Sequence, residues 1–255
     1  MVSMSTSDAF IPSPLFRPAL SKLVSGLPHL RSGTCTRTGV PRTESTSAAE
    51  YIPEHPTPRT LREAVQRCHG CDLYAQATQA VFGEGPNSAE IVLIGEQPGD
   101  EEDRHGRPFV GPSGKLLDRA LIEAGIDRSV AYVTNAVKHF KFEERGKRRL
   151  HKKPNGLEIR ACQPWLEAEI NLIQPQIIVC LGATAAQTIF GSAYRLTKER
   201  GQFVRNSWAP HVKSTIHPSA VLRAPDEERR RIEYERFVED LKKVHGLWKS
   251  LRKRA

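Results

Sequence analysis

Four short runs, largely apolar and each followed by turn residues, constrain this chain more than any other feature. They are Glu90-Ile-Val-Leu-Ile-Gly95, Ala131-Tyr-Val-Thr-Asn135, Gln176-Ile-Ile-Val-Cys-Leu-Gly182 and Val212-Lys-Ser-Thr-Ile216. Runs this short with little polar alternation suit strands buried on both faces, as in parallel sheets. Stretches of helical spacing separate them: Gly114 to Gly125 with its glycine stop, Arg160 to Ile173 with Pro175 just beyond, and Ala183 to Phe190. A long charged amphipathic stretch, Asp226 to Leu247, closes the pattern. The expected fold is α/β, a three-layer α/β/α arrangement around a central four-stranded parallel sheet. Ligands of such sheets bind beyond the carboxyl ends of the strands. Four segments should therefore converge: Gly95 to Asp100, Asn135 to Lys138, Gly182 to Thr184, and His217-Pro-Ser219.

Before Thr57 the pattern is absent. Residues 1–56 are rich in Ser, Thr and Pro and hold no sustained apolar periodicity. Such a segment buries too little apolar surface to offset its ordering entropy. Residues 1–56 are expected to be a disordered tail and residues 57–255 the folded domain. No apolar run approaches the ~20 residues of a membrane helix, and the N-terminus lacks the charged and apolar regions of a secretory signal. The 38 Lys and Arg outnumber the 29 Asp and Glu, giving a net charge of +9. That excess favours an anionic partner, nucleic acid being the commonest.

The cysteines number five, an odd count that argues for thiols in a reducing, cytoplasmic setting rather than a disulfide framework. Cys35 lies in the tail. Cys68-x2-Cys71, Cys162 and Cys180 remain, and four thiolates can hold either a structural zinc or a [4Fe–4S] cluster. Zinc ribbons use two tight pairs, whereas only one pair is tight here, so the spacing suits a cluster better. The plainer alternative makes Cys162 and Cys180 small buried apolar residues. Gly111-Pro-Ser-Gly-Lys115 looks like a phosphate loop but has Phe109 and Leu116 where that motif needs Gly and Ser or Thr. Nucleoside triphosphate hydrolysis is excluded.

At the first strand end, Gly95-Glu-Gln-Pro-Gly-Asp-Glu-Glu-Asp103 packs five acids beside a turn, suited to orienting water or a nucleophile. Phe109 follows among turn residues, where a ring can stack on a planar ligand. Asn135 offers a donor and an acceptor on one amide, which suits the edge of a nucleobase. Taken singly, an Asn after a strand is a turn residue and a lone Phe is core; their convergence at strand ends gives them weight.

These segments together resemble the uracil-DNA glycosylase superfamily: Gly-Glu-Gln-Pro-Gly-Asp (95–100), Arg-Pro-Phe-Val-Gly (107–111), Thr-Asn-Ala-Val-Lys-His-Phe (134–140), Cys-Leu-Gly-Ala-Thr-Ala (180–185) and His-Pro-Ser (217–219). The resemblance runs from about Thr57 to Leu247. The four cysteines are similar to its family 4 iron–sulfur branch, which usually carries Gly where Gln97 stands. Gln97 and the inserted Gly146-Lys-Arg-Arg-Leu-His-Lys-Lys153 are similar to the UdgX branch, whose members become covalently attached to the DNA from which they excise uracil. The usual signature there is Lys-Arg-Arg-Ile-His, so Leu150 is a conservative departure.

The resemblance implies roles for individual residues. Phe109 would stack on uracil, Asn135 and Gln97 would contact its polar edge, and His217 would stabilise the charge developing on the uracil O2. His151 would attack C1′ in place of water, with Glu96 and Gln97 orienting its ring and Asp100 completing the catalytic set. Cys68, Cys71, Cys162 and Cys180 would hold a [4Fe–4S] cluster. The basic run makes physical sense by itself. Lys147, Arg148, Arg149, Lys152 and Lys153, with Ser219, would contact phosphates and hold His151 near the sugar. A plainer alternative makes the run a solvated DNA-binding loop in which His151 is incidental. The expected protein is a monomer acting on uracil-containing DNA, single- or double-stranded, and trapped on it after one turnover. A multiple-turnover family 4 glycosylase and a non-catalytic iron–sulfur DNA-binding protein stand as alternatives.

Overall fold

A computed structural model describes residues 47–254. The chain folds around a five-stranded sheet made of β1 (Ile91–Gly95), β2 (Ala131–Asn135), β5 (Ile177–Leu181), β6 (Phe203–Asn206) and β7 (Ala209–Thr215), in the order β2-β1-β5-β7-β6. A separate hairpin joins β3 (Phe142–Arg145) to β4 (Arg148–His151). The helices are α1 (Pro58–Val65), α2 (Asp100–His105), α3 (Pro112–Ala124), α4 (Gly156–Ile173), α5 (Ala183–Phe190), α6 (Leu196–Glu199), α7 (Pro218–Leu222) and α8 (Glu227–Arg252). None is long and apolar enough to cross a membrane.

β1, β2, β5 and β7 are parallel, as expected. Their side chains alternate across the sheet, and both faces are covered. Ile91 and Leu93 join Ile177, Val179 and Val133 beneath α3, α7 and α8. Val92 and Ile94 join Ile178, Cys180 and Tyr132 beneath α4 and α5. The three layers follow directly. The sheet departs from expectation at its edge, where β6 pairs antiparallel with β7 through a register shift between Val204 and Asn206. Phe-Val-Arg-Asn has no run of apolar residues, because an edge strand needs only one buried face.

The tail expected for residues 1–56 falls outside the described residues up to residue 46. Beyond it, Ala48–Tyr51 forms a 3-10 turn capped by Ser47, with Ala48 fully buried. This turn lies so close to the Cys68–Cys71 loop that a Cβ on Gly70 would meet the Ala48 nitrogen at 2.8 Å. Packing therefore begins ahead of Thr57. A four-residue 3-10 turn carries no sequence periodicity, so only its docking reveals it.

Candidate base-binding site

Gly95 and Asn135 are partners in register at the ends of β1 and β2. The ladder continues past the strands, with Ala136 N donating to Gly95 O at 2.9 Å and Val137 N to Glu96 O at 3.0 Å. Asn135 is thereby turned into a buried crevice, where its side-chain amide makes no hydrogen bond among the described residues. A Cβ on Gly95 would lie 2.3 Å from Asn135 Oδ1 and 2.8 Å from Phe109 Cζ, so amide and ring converge over that glycine. Phe109 has φ +56°, a conformation costing a non-glycine residue about 1–3 kcal/mol that its surroundings must impose. Glu102 helps impose it. Its carboxylate accepts from Gly99 N at 3.1 Å and Gly111 N at 2.8 Å, tying together the two loops that line the crevice.

His217 lies across the crevice, its ring stacked on Phe109 with centroids 6.1 Å apart. Its Nδ1 accepts the Ser219 backbone N–H at 3.1 Å and lies 2.7 Å from Ser219 Oγ. Accepting at Nδ1 places the ring proton on Nε2. Burial lowers the His217 pKa to about 4, with Arg223 and His151 adding to the effect. At neutral pH His217 is thus an uncharged imidazole with one N–H to donate. Ser219, expected on DNA, bonds this histidine.

His151 stands at the end of β4. The run expected to be a basic loop is this hairpin, which turns at Gly146 (φ +60°). Antiparallel register puts Phe142, Glu144, Arg149 and His151 on one face and Glu143, Arg145, Arg148 and Leu150 on the other. Arg149 therefore turns inward, a correction to its expected place on phosphate. Its guanidinium bonds Asp100 at 2.5 Å and Asp103 at 2.7 Å and lies over the Phe142 ring at 4.9 Å. Lys147, Arg148, Lys152 and Lys153 are exposed. Asp100 is thereby tied to Arg149 and Arg104 rather than to the crevice.

Gln97 anchors the hairpin's base. Its Nε2 donates to Lys141 O and Lys152 O, both at 3.1 Å, and its Oε1 accepts from Lys141 N at 3.1 Å. The amide expected to contact uracil is thus engaged with main chain, although the residue still lines the crevice. This anchoring leaves His151 Nε2 at 3.4 Å from Glu96 Oε1, while Thr184 Oγ1 donates to Glu96 Oε2. Burial lowers the His151 pKa, opposed by Glu96 and assisted by Arg223.

The cysteines divide. Cys68, Cys71 and Cys162 share one cluster with α1 and α4. Gly70 N and Trp165 Nε1 donate to Cys68 Sγ at 3.4 and 3.2 Å, and Lys138 N donates to Cys162 Sγ at 3.2 Å. Burial pushes the Cys162 thiol up to about 12, opposed by Lys138 and reinforced by Cys71 and Cys68. Cys180 is not among them. It points from central strand β5 into the apolar layer under α5, and burial alone raises its thiol. Spacing along the chain could not separate the two situations, because a thiol on a fully buried strand looks the same in either.

A residue outside the expected set follows the one whose N–H bonds Cys162. His139 follows Lys138, is buried, and makes no side-chain hydrogen bond among the described residues. Burial lowers its pKa to about 4, opposed by Asp103 and assisted by His69 of the Cys68–Cys71 loop. A buried, neutral imidazole one residue past the Lys138 N–H that bonds Cys162 is a better candidate iron ligand than Cys180, which lies in a separate apolar cluster. The available signal was its place in Asn135-Ala-Val-Lys-His139, four residues past the strand end. Among the described residues no three His, Cys, Asp or Glu side chains converge closely enough for a single ion. A cube spreads its ligands wider than one ion does.

A free amide, a strained aromatic ring and a neutral imidazole at the carboxyl end of a parallel sheet form a crevice with the chemistry to accept a planar, hydrogen-bonding heterocycle. Residues 82–242 match the model of the Uracil DNA glycosylase superfamily, and the chain belongs to that superfamily. It is 39% identical over 191 residues to a type-4 uracil-DNA glycosylase of Thermotoga maritima, covering 74% of this chain and 94% of the relative. It is 38% identical over 197 residues to a type-4 enzyme of Sulfurisphaera tokodaii, covering 73% and 83%. A type-5 uracil-DNA glycosylase of Thermus thermophilus is 30% identical over 159 residues, covering 54% and 68%.

Proposed function

We propose that this protein excises uracil from DNA. The observation that carries the reading is the convergence of Asn135, Phe109 and a neutral His217 on one crevice. The target nucleotide must leave the base stack, since its glycosidic bond is inaccessible within a duplex. Phe109 then stacks on the ring, and the Asn135 amide pairs with its polar edge. As the N-glycosidic bond breaks, its electron pair goes to uracil and the sugar becomes oxocarbenium-like. His217 Nε2–H donates to the oxygen that gains charge, a contribution of about 10²–10³ in rate for one such donor.

Two completions differ in what reaches C1′. The relatives' names favour a turnover enzyme of the type-4 kind, in which water adds and the protein is released. One observation favours capture: the hairpin sets His151 Nε2 3.4 Å from Glu96, with the pKa of the imidazole lowered from its ordinary value. In that completion the Nε2 lone pair forms the bond to C1′ and the Nδ1 proton passes to solvent. Cys68, Cys71, Cys162 and His139 are the residues that would hold an iron–sulfur cluster. Bound there, it would tie three chain segments together and supply one-electron chemistry.

Incubation with uracil-containing single-stranded DNA, followed by a denaturing gel and an assay of released uracil, tests both completions. Absence of uracil release refutes the function. A shifted band resistant to denaturation, lost in His151→Ser while uracil release persists, supports capture; multiple turnovers without such a band support hydrolysis.

A further inference from the structure

Beneath Asn135 lies a charged network that the steps above do not use. Lys138 and Glu169 are fully buried, with their charged atoms 2.5 Å apart. The Lys138 ammonium donates to Glu169 Oε2, to Thr134 Oγ1 at 2.7 Å and to the Asn135 carbonyl at 2.8 Å. Those three acceptors use all three of its protons. Glu169 also accepts from Gly83 N at 2.9 Å, Tyr132 OH at 3.0 Å and Thr134 Oγ1 at 2.8 Å. Its four lone-pair sites are filled as well. A buried network satisfied this completely is rigid and specifies one geometry.

The main chain of Lys138 is held too. Its carbonyl accepts from Val81 N at 2.8 Å, and its N–H donates to Cys162 Sγ. Cys162 and Glu169 stand two turns apart on α4, so one helix holds this lysine at both ends. A buried ion pair is a poor stabiliser relative to apolar residues of the same size. Here the ammonium instead curls back three residues onto the peptide that follows Asn135. That contact sets the plane of the peptide carrying the one free amide in the crevice.

We propose that the Lys138–Glu169 pair is a positioning device that holds Asn135 in its base-reading orientation. The inference rests on the reading of the crevice as a uracil site. Its core is the contact of Lys138 Nζ with the Asn135 carbonyl inside a network without a free acceptor.

The test is a cycle of single-turnover excision rates for wild type, Lys138→Met, Asn135→Ala and the double variant, with DNA affinity measured alongside. A misplacement of about 1 Å costs about 10²-fold in rate, so Lys138→Met is expected to slow excision about that much with unchanged DNA affinity. The double variant should be no slower than Asn135→Ala alone, because the lysine acts only through that amide. Independent, multiplicative losses overturn the proposal. Lys138→Met leaves Glu169 charged and uncompensated, so Lys138→Met/Glu169→Gln serves where the single variant fails to fold. It keeps the acceptor for Gly83 and Tyr132 while removing both charges. A wild-type rate in that variant also overturns the positioning role. Failure of the wild type to release uracil would overturn the proposed function and this inference together, an outcome distinct from the others.

Discussion

Arg149→Ala separates a residue that holds the hairpin from one that holds DNA. A two-stranded hairpin is marginal by itself, so the placement of His151 depends on anchors outside it. Gln97 supplies one, and the contacts of Arg149 with Asp100 and Asp103 supply another. Arg149 is only 15% exposed and faces Asp103, which is fully buried, as well as Asp100. Removing one partner of a buried pair costs about 3–5 kcal/mol. Asp103 keeps its bonds from Thr78 N and Oγ1, and Asp100 keeps Arg104. The cost therefore falls to about 2–3 kcal/mol, or about 30–150-fold in the ratio of docked to undocked hairpin. Hydrogen exchange of the β3–β4 amides should accelerate by that factor while the β1 amides remain protected. Binding to single-stranded DNA should keep its salt dependence. Arg148→Ala should do the reverse, leaving exchange unchanged and reducing the salt slope by about 0.7. Unchanged exchange in Arg149→Ala, together with a reduced salt slope, would mean that Arg149 faces phosphate and that the inward assignment is wrong.

Two further outcomes follow from the site. Because the folded His217 pKa lies near 4 against an ordinary 6.5, the unfolded chain binds its proton first as pH falls. Stability should decline between about pH 6.5 and 4, by on the order of 3 kcal/mol from this group, and level off below. Denaturant midpoints against pH should lose that component in His217→Asn, and an unchanged profile would contradict the neutral assignment. For the cysteine site, Cys162→Ala and His139→Ala should lower iron content, whereas Cys180→Ala should leave it at the wild-type level. Iron loss on removing Cys180 would restore it as a ligand.

Much of this protein is legible in its sequence. Strands buried on both faces have to be apolar almost throughout, so β1, β2, β5 and the order of the layers could be read without coordinates. A crevice was expected at their carboxyl ends, and Phe109, Asn135 and His217 line one there. The hairpin was hidden because both of its strands are charged. Its inward face is satisfied by acids and an amide from α2 and the β1 end, not by apolar burial, and no periodicity reports that.

The sequence by itself determined a parallel α/β sheet, a crevice at its carboxyl end and the residue types that line it. Those depend on local pattern and on the fixed direction of parallel strands. Only the tertiary structure decided which basic residue of the hairpin faces outward and which faces Asp103, since a hairpin's register reverses the role of neighbouring positions. It also put Cys180 and Cys162 in separate apolar clusters and set His139 next to the Lys138 N–H that bonds Cys162. Seventeen intervening residues between Cys162 and Cys180 specify no distance once a helix and a turn have carried the chain from one layer into the next. Contacts of that kind arise from packing between layers, where sequence separation carries almost no information about space.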